Sequence, residues 1–457
     1  MTNLNRHPSS FRDPSGFIYE KDGVVFRFVS ITYSQQFQKL KTSGLCSALI
    51  EKKQLLSFDE VNENHTNRND WLTTLRPLQI PFLNYAWEWS FEQLKDASLT
   101  TLAICKSALE KGMILKDAPH FNIQFVNGKP LLIDTLSFEM YEEGSEWIAY
   151  KQFCECFLNP LLLAAFCKME VHKLLLAYPE GVPVSLTSQL LPITSKFNTS
   201  VLLHVHLHSK FSIKKAGGSE TKSKTVSKKS IYNILQSLEN CIVRLNPNNS
   251  VTTWNNYYSE TILSKEYLTE KMSLVNELLQ TIQYKSVLDL GANDGEFSML
   301  CNEESLVVAA DFDSSCISNL YTKLKQKKFS NIVPLVIDAS YPSPSMGWIN
   351  KEQPAFFSRK NFDVCLALAL IHHLVIGKNI TMEMLVLFFA NQCNYLLIEF
   401  IPKTDPKVKE MLQWRKDIFM HYSQESFETA FSVHFRIQQK ISISNSERTL
   451  YLLQKRG

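Results

Sequence analysis

The chain has 457 residues, too many for one ordinary hydrophobic core, so two or three domains are expected. Hydrophobic residues make up 45%, charged residues make up 20%, and the formal net charge is +3. This composition is typical of a globular protein and argues against a protein that coats nucleic acid through its overall charge.

No apolar run reaches the roughly 20 residues that span a bilayer. The polar start lacks the apolar core of a signal peptide. Ten cysteines without a C-x-x-C pair favour reduced thiols, so we expect a cytoplasmic protein without a membrane partner.

The first half of the chain mixes strand-like and helical patterns. FIYEKDGVVFRFV predicts a hairpin that turns at Asp22-Gly23, and NIQFVNGKPLLID predicts another at Asn127-Gly128. Between them, residues 92–112 place apolar side chains on one helical face and end at Gly112, a typical helix C-terminus. Residues 147–178 are predicted to be mostly helical. The first half is therefore expected to be an α+β domain.

Three polar residues of the first half form a recognisable pattern. Asp117 and Asn122 are followed, after the second hairpin, by Asp134. This spacing is similar to the D-x-x-x-x-N…D core of protein-kinase-like folds, which implies oxygen ligands that hold magnesium on a nucleotide. The chain departs from that pattern, because Leu115 stands where a histidine is usual and no glycine-rich phosphate loop precedes it. An active kinase, a kinase-like fold kept for binding and a coincidence therefore all stay open.

A basic, polar stretch separates the two halves. Residues 210–230 hold seven lysines and one glutamate, a composition typical of a solvated connection. We therefore predict an N-terminal accessory domain at residues 1–208, a flexible linker at 209–231 and a second domain at 232–457. Without interleaved aromatic residues, the linker gives only weak support for a nucleic-acid partner.

The second half alternates between strands and helices. Five strand-like runs (286–290, 306–311, 332–338, 362–369 and 395–401) are separated by helix-like segments at 296–302, 314–327 and 382–392. This alternation predicts a parallel, doubly wound sheet. Two further strands at the C-terminus predict an antiparallel edge, giving an α/β fold with a seven-stranded Rossmann-like sheet.

A glycine loop follows the first strand of the second half, in VLDLGANDGEFS. The spacing Gly291…Gly295 lacks the middle glycine of a dinucleotide loop, and Asp294 would repel a pyrophosphate. Asp289 precedes the loop and suits an ammonium or sulfonium centre. Asp311 and Asp338 end the next two strands, where a ligand crevice is expected in such sheets. The pattern predicts a cofactor with a cationic end.

The ordered set DLGANDG, AADFD and VIDA resembles motifs I to III of class I S-adenosylmethionine-dependent methyltransferases. Longer stretches along nearly the whole chain, such as IPFLNYAWEWSFEQLKDA and IEFIPKTDP, are similar to one bacterial family of two-part proteins, some of them described as nodulation-related. The resemblance implies S-adenosylmethionine as cofactor, and we predict no metal site. The residues that it places around the cofactor, together with Asp289, are Gly291, Asn293, Gly295, Asp311, Phe312, Asp338 and Ala339.

The loop after the fourth strand is expected to face the transferred methyl group. It contains His372-His373 and lacks the N/D-P-P-Y/F motif of amino-directed nucleic-acid methyltransferases. It is more similar to methyltransferases that act on small molecules or proteins. Either histidine can act as a base, or the pair can simply pack under the loop. Glu399, at the end of the fifth strand, either lines the acceptor pocket or pairs with Lys403. Neither the acceptor nor the oligomeric state follows from the sequence.

A run of alternating histidines, HVHLH at residues 204–208, closes the first half. In an extended strand the three histidines would share one face, where they could bind zinc. A strand face or a buried polar edge is the alternative that we favour.

Overall fold

The computed structural model describes residues 4–210, 225–247, 265–413 and 415–457. It divides into two compact units, Met1–Asn249 with Pro344–Pro354, and Ser250–Ser343 with Ala355–Gly457. The boundary between them falls at Asn249/Ser250, whereas the sequence placed it at residue 231/232. Most of the basic linker, residues 211–224, lies outside the described residues, so the linker stays a prediction.

The first unit begins with a five-stranded antiparallel sheet of order β1-β2-β3-β5-β4. The strands are β1 (Asn5–Arg6), β2 (Gly16–Lys21), β3 (Val24–Ser30), β4 (Phe58–Val61) and β5 (Trp71–Pro77). The hairpin at Asp22-Gly23 is confirmed, because both residues have positive φ (54° and 75°), as a tight turn between twisted strands requires.

Two small strand pairs follow the sheet. They are β6 (Met113–Leu115) with β9 (Phe138–Met140), and β7 (Ile123–Val126) with β8 (Lys129–Leu132). The hairpin at Asn127-Gly128 is confirmed, since both residues have positive φ (50° and 72°).

Helices supply the rest of the first unit. α1 (Ser34–Thr42) and α2 (Leu45–Glu51) precede α3 (Phe91–Glu110), whose predicted apolar face is buried. Residues 150–167 form one helix from α4 (Tyr150–Phe153), a π-helical turn (Cys154–Leu158) and α5 (Asn159–Cys167). The further helices are α6 (Val171–Ala177), α7 (Val184–Leu190), α8 (Thr199–Val201) and α9 (Lys228–Val243).

The second unit contains the predicted seven-stranded sheet. Its strands are β10 (Ser286–Leu290), β11 (Leu306–Asp311), β12 (Ile332–Val336), β13 (Phe362–Ala367), β14 (Cys393–Phe400), β15 (Phe435–Ser442) and β16 (Thr449–Lys455). The order is β12-β11-β10-β13-β14-β16-β15, with the first five strands parallel and β16 antiparallel to both neighbours. The strand order reverses at β10, because β11 and β12 lie on one side of it and β13 and β14 lie on the other. In doubly wound sheets, ligands bind at such a switch point.

The helices of the second unit are α10 (Lys265–Gln280), α11 (Ser314–Lys327), α12 (Met382–Gln392), α13 (Pro406–Gln413) and α14 (Gln424–Ser432). The helix predicted at 296–302 is wrong, because only a 3₁₀ turn forms at Ser298–Leu300. Polar side chains compete with the helix here: Ser298 Oγ donates to Asp289 (2.6 Å), and Asn302 Oδ1 accepts from the Glu304 backbone N–H (3.0 Å). Within the described parts of the chain, no helix is long and apolar enough to cross a membrane.

Candidate active site

The glycine loop sits at the carboxyl end of β10. Gly291 (φ 78°) donates its N–H to Ala310 O (2.9 Å), so the loop is attached to β11. Asn293 also has positive φ (50°), a conformation that asparagine tolerates better than most residues. Gly295 (φ 81°) packs against α11, where a Cβ would lie 2.3 Å from Leu320 Cδ1. The loop therefore needs glycine both for its backbone and for its packing.

Asp311 closes the loop from the neighbouring strand. Its Oδ2 accepts from the Asn293 N–H (2.8 Å) and its Oδ1 from the Asp313 N–H (2.9 Å). Burial raises the pKa of Asp311 to about 6, and these backbone donors only partly oppose it. Asp311 also lines the cavity described below, where its carboxylate oxygens can accept from a ligand hydroxyl.

Asp289 lies beneath the loop. It is 2% exposed, it accepts from Ser298 Oγ (2.6 Å), and it is not part of the cavity wall described below. Burial raises its pKa to about 7, and the nearby Asp311 adds to this effect. Direct contact between Asp289 and a cationic ligand group stays a prediction.

A cavity of about 250 Å³ opens along this edge of the sheet. Its wall combines the glycine loop, the ends of β11 and β12, and the loop after β13. Of the eight residues expected around the cofactor, Asp289 and Gly295 lie behind the wall, and six line it: Gly291, Asn293, Asp311, Phe312, Asp338 and Ala339.

Asp338 stands at the edge of the cavity. It accepts from Ser340 Oγ (2.6 Å) and lies 3.5 Å from Lys378 Nζ. Burial alone would raise the pKa of Asp338, but Ser340 and Lys378 outweigh burial and lower it. Phe312, 52% exposed, presents an aromatic ring on the same side.

The structure distinguishes the two histidines. His373 begins a π-helical turn (His373–Gly377) and lines the cavity, whereas His372 is buried behind it, with ring centroids 4.1 Å apart. His372 Nδ1 has no hydrogen-bond partner among the described residues. Burial lowers the pKa of His373 to about 4, with Lys407 and Arg448 adding to it, and lowers that of His372 as well. Both rings are therefore neutral near pH 7.

Sequence reasoning missed the polar side chains on the opposite wall. Tyr267 and Lys271, one helical turn apart on α10, line the cavity together with Arg448 of the segment before β16. Glu399 joins them, accepting from Tyr267 Oη (2.5 Å) and Lys271 Nζ (2.7 Å). Neither alternative for Glu399 holds, because it is not in the wall and Lys403 pairs with Asp417 (2.8 Å). A lysine on the apolar face of α10 was the available clue.

The kinase-like residues of the first unit do converge. Asn122 Nδ2 donates to Asp117 Oδ1 and to Ser137 Oγ (both 3.0 Å), and Ser137 Oγ donates to Asp134 (2.8 Å). Arg27 of β3 forms an ion pair with Asp134. Burial would raise the pKa of Asp134, but Arg27 and Ser137 outweigh it and lower the pKa. For Asp117, burial and the nearby Asp134 raise the pKa to about 6.

The alternating histidines do not form a strand. Residues Leu202–Leu207 are π-helical, so the three histidines do not share one extended face. His204 bonds Tyr150 (2.8 Å) and Ser237 (2.9 Å), and His206 bonds Ser188 (3.0 Å) and Ser195 (2.9 Å). The alternative of a buried polar edge describes them better. No group of three metal-binding side chains occurs in the described parts of the chain.

The second unit is thus a doubly wound α/β domain with a cavity at its topological switch point. The whole chain is 31% identical over 461 residues to nodulation protein NoeA of Rhizobium meliloti (strain 1021), covering 98% of this chain and 96% of that protein. The chain therefore belongs to the NoeA family. No protein-family model matches it.

Solved structures similar to part of the chain include two methyltransferases. N-methyltransferase NodS from Bradyrhizobium japonicum WM9 is 11% identical, with a TM-score of 0.32, over 42% of this chain and 99% of that one. Magnesium protoporphyrin IX methyltransferase ChlM from Synechocystis PCC 6803 is 14% identical, with a TM-score of 0.33, over 44% and 93%. The proposed function rests on the site and not on these similarities.

Proposed function

We propose that the second unit is an S-adenosylmethionine-dependent methyltransferase. The observation that carries this proposal is the cavity at the switch point, where the glycine loop, Asp311 and Asp338 occupy one wall. Ligands of doubly wound sheets bind in this crevice, beyond the carboxyl ends of the strands. The bound cofactor supplies an electrophilic methyl group on a sulfonium centre.

The residues of this wall suit the parts of such a cofactor. Asp311 lines the cavity, and its carboxylate can accept from ribose hydroxyls there. Phe312 offers a ring face to the adenine, and Asp338 can accept from an adenine amino group. Gly291 and Asn293 shape the end nearest β10. Asp289 lies beneath the glycine loop, and when it is ionised its negative charge favours the cationic end of the cofactor.

The acceptor is proposed to enter beside His373, between the apolar side chains Leu370 and Leu374 of the same wall. A neutral His373 can accept a hydrogen bond, or a proton, from the acceptor hydroxyl or amine while His372 supports it from behind. Alignment of acceptor and methyl group supplies much of the rate. We propose a small-molecule or protein acceptor, since the loop lacks the motif that holds a base amine.

The first unit is proposed to be the accessory domain that presents or selects the acceptor. A kinase-like nucleotide site at Asp117, Asn122 and Asp134 is the second candidate function, favoured by the convergence of these three side chains. Arg27 weighs against it, because it already neutralises the carboxylate that would have to hold magnesium. A thermal shift with ATP and magnesium that disappears in Asp134→Ala would support the candidate, and no shift would remove it.

The test of methyl transfer uses cofactor carrying a labelled methyl group. The full chain is incubated with host lysate, which is then separated into small-molecule, protein and RNA fractions. We expect label in the small-molecule or protein fraction, and none with Asp311→Ala. At saturating cofactor, His373→Ala should lower transfer by about 100- to 10,000-fold, the usual contribution of a positioned acid or base. Wild-type labelling no higher than that of Asp311→Ala would contradict the proposal.

A further inference from the structure

Glu399 is a buried acid that the proposed chemistry does not use. It is the second-last residue of β14, at the carboxyl end of the strand. Its exposure is 0%, and it lies behind the cavity wall. A carboxylate in such a place costs free energy unless charges and donors compensate it. Its partners therefore indicate what it does.

Three separate parts of the second unit meet at this carboxylate. Oε1 accepts from Tyr267 Oη (2.5 Å), Oε2 accepts from Lys271 Nζ (2.7 Å), and Oε2 also accepts from the Ala369 backbone N–H (2.8 Å). Arg448 Nη1 lies 3.8 Å from Oε1. One side chain thus connects α10, β14 and the loop after β13.

Ala369 is the unusual member of this group. Its φ is 53°, in the left-handed region, which is unfavourable for a residue with a Cβ and persists only where the surroundings enforce it. Ala369 lines the cavity and immediately precedes the helical turn that presents His373. The Glu399 carboxylate holds its N–H in that orientation.

The charges of this cluster balance internally. Lys271 and Arg448 face Glu399 and Asp405, whose Oδ2 accepts from Arg448 Nε (2.8 Å). Burial alone would raise the pKa of Glu399, but the two cations outweigh it and hold the carboxyl ionised. Because two positive charges meet two negative charges, the cluster is suited to fixing the loop and not to binding an anionic ligand.

We infer that Glu399 is a positioning residue. It fixes the segment after β13 (residues 368–374, called the 368–374 loop), which includes the start of the helical turn, against α10, so that His373 faces the cofactor side of the cavity. This inference rests on the proposed methyl transfer. Lys271 is its counter-charge, and Tyr267 sets the orientation of the carboxylate. Without Glu399, Ala369 would relax from the left-handed conformation, and the loop would sample orientations in which His373 and the acceptor are misaligned.

The experiment uses three variants of the full chain. Both test variants replace the lysine, so that no buried ammonium is left unpaired. Lys271→Met/Glu399→Gln keeps an oxygen that can accept from the Ala369 N–H, whereas Lys271→Met/Glu399→Met removes that acceptor. Lys106→Met/Glu239→Met is the matched control, since it removes an ion pair of the first unit (2.6 Å). Two quantities are measured: amide exchange of the 368–374 loop by mass spectrometry, and transfer of labelled methyl into host lysate at saturating cofactor.

We expect Lys271→Met/Glu399→Met to exchange the loop amides at least tenfold faster and to transfer at least tenfold more slowly. Lys271→Met/Glu399→Gln should recover most of both properties, and the control should match the wild type. Wild-type exchange and wild-type transfer in Lys271→Met/Glu399→Met would overturn the inference. Failure of Lys271→Met/Glu399→Gln to recover either property would overturn it as well. If the wild type transfers no label, the proposed function fails, and loop exchange alone then decides the role of Glu399.

Discussion

The two units each bring together acids that the sequence singled out, but they treat them differently. In the first unit, Asp134 is neutralised by Arg27 and bonded by Ser137, and its pKa is lowered. In the second unit, Asp311 accepts from backbone N–H groups, those of Asn293 and Asp313 among them, at a cavity wall, and burial raises its pKa to about 6. The spacing along the chain drew attention to both acids, but their surroundings differ: Asp134 is paired with a cation, whereas Asp311 lines a cavity.

The largest expected effect comes from comparing one glycine of each unit. Gly295→Ala should lower the free energy of unfolding of the second unit by about 3 kcal/mol, from overpacking against Leu320 together with the left-handed backbone. Gly23→Ala in the first unit has a similar φ (75°) and nothing within 4 Å of the added Cβ, so it should cost only about 1 kcal/mol. Calorimetric unfolding of both variants checks this. Equal costs would mean that packing against α11 does not constrain the loop.

The next effect tests whether the ion pair between Asp134 and Arg27 stabilises the first unit. Asp134→Ala leaves Arg27 without its partner and should lower the free energy of unfolding of the first unit by about 2–3 kcal/mol, because both side chains are mostly buried. Affinity for S-adenosylhomocysteine should stay within twofold of the wild type. Replacing the pair together, as Arg27→Met/Asp134→Leu, should recover most of the stability. An unchanged stability in Asp134→Ala would mean that the ion pair does not brace the first unit.

The smallest effect is the pH dependence of cofactor binding. Ribose hydroxyls that donate to Asp311 favour its ionised form, so binding should lower its pKa from about 6. Affinity is then complete above pH 7 and decreases as the carboxyl gains a proton, by about tenfold between pH 7 and pH 5. Titrations with S-adenosylhomocysteine at several pH values measure this. Asp311→Asn should bind more weakly and lose most of this dependence, and an equal dependence in that variant would assign the titration to another group such as Asp289.

Local patterns predicted much of the fold and part of the site. Both hairpins followed from glycine turns, and the acids at the ends of β11 and β12 reached one cavity because parallel strands end at the same edge. The helix at 296–302 failed because Ser298 and Asn302 bond elsewhere. Tyr267, Lys271 and Arg448 were missed because their common partner, Glu399, lies far away in the sequence. Packing between distant segments, which no local pattern encodes, brings them together.

The central claim is that the wall containing Asp311 binds S-adenosylmethionine. Calorimetric titration of the full chain with S-adenosylhomocysteine tests it most directly. The wild type should bind one molecule per chain, and Asp311→Ala should weaken binding by about 10- to 100-fold, as expected for hydrogen bonds to a charged group. No binding by the wild type, or an unchanged affinity in Asp311→Ala, would contradict the claim.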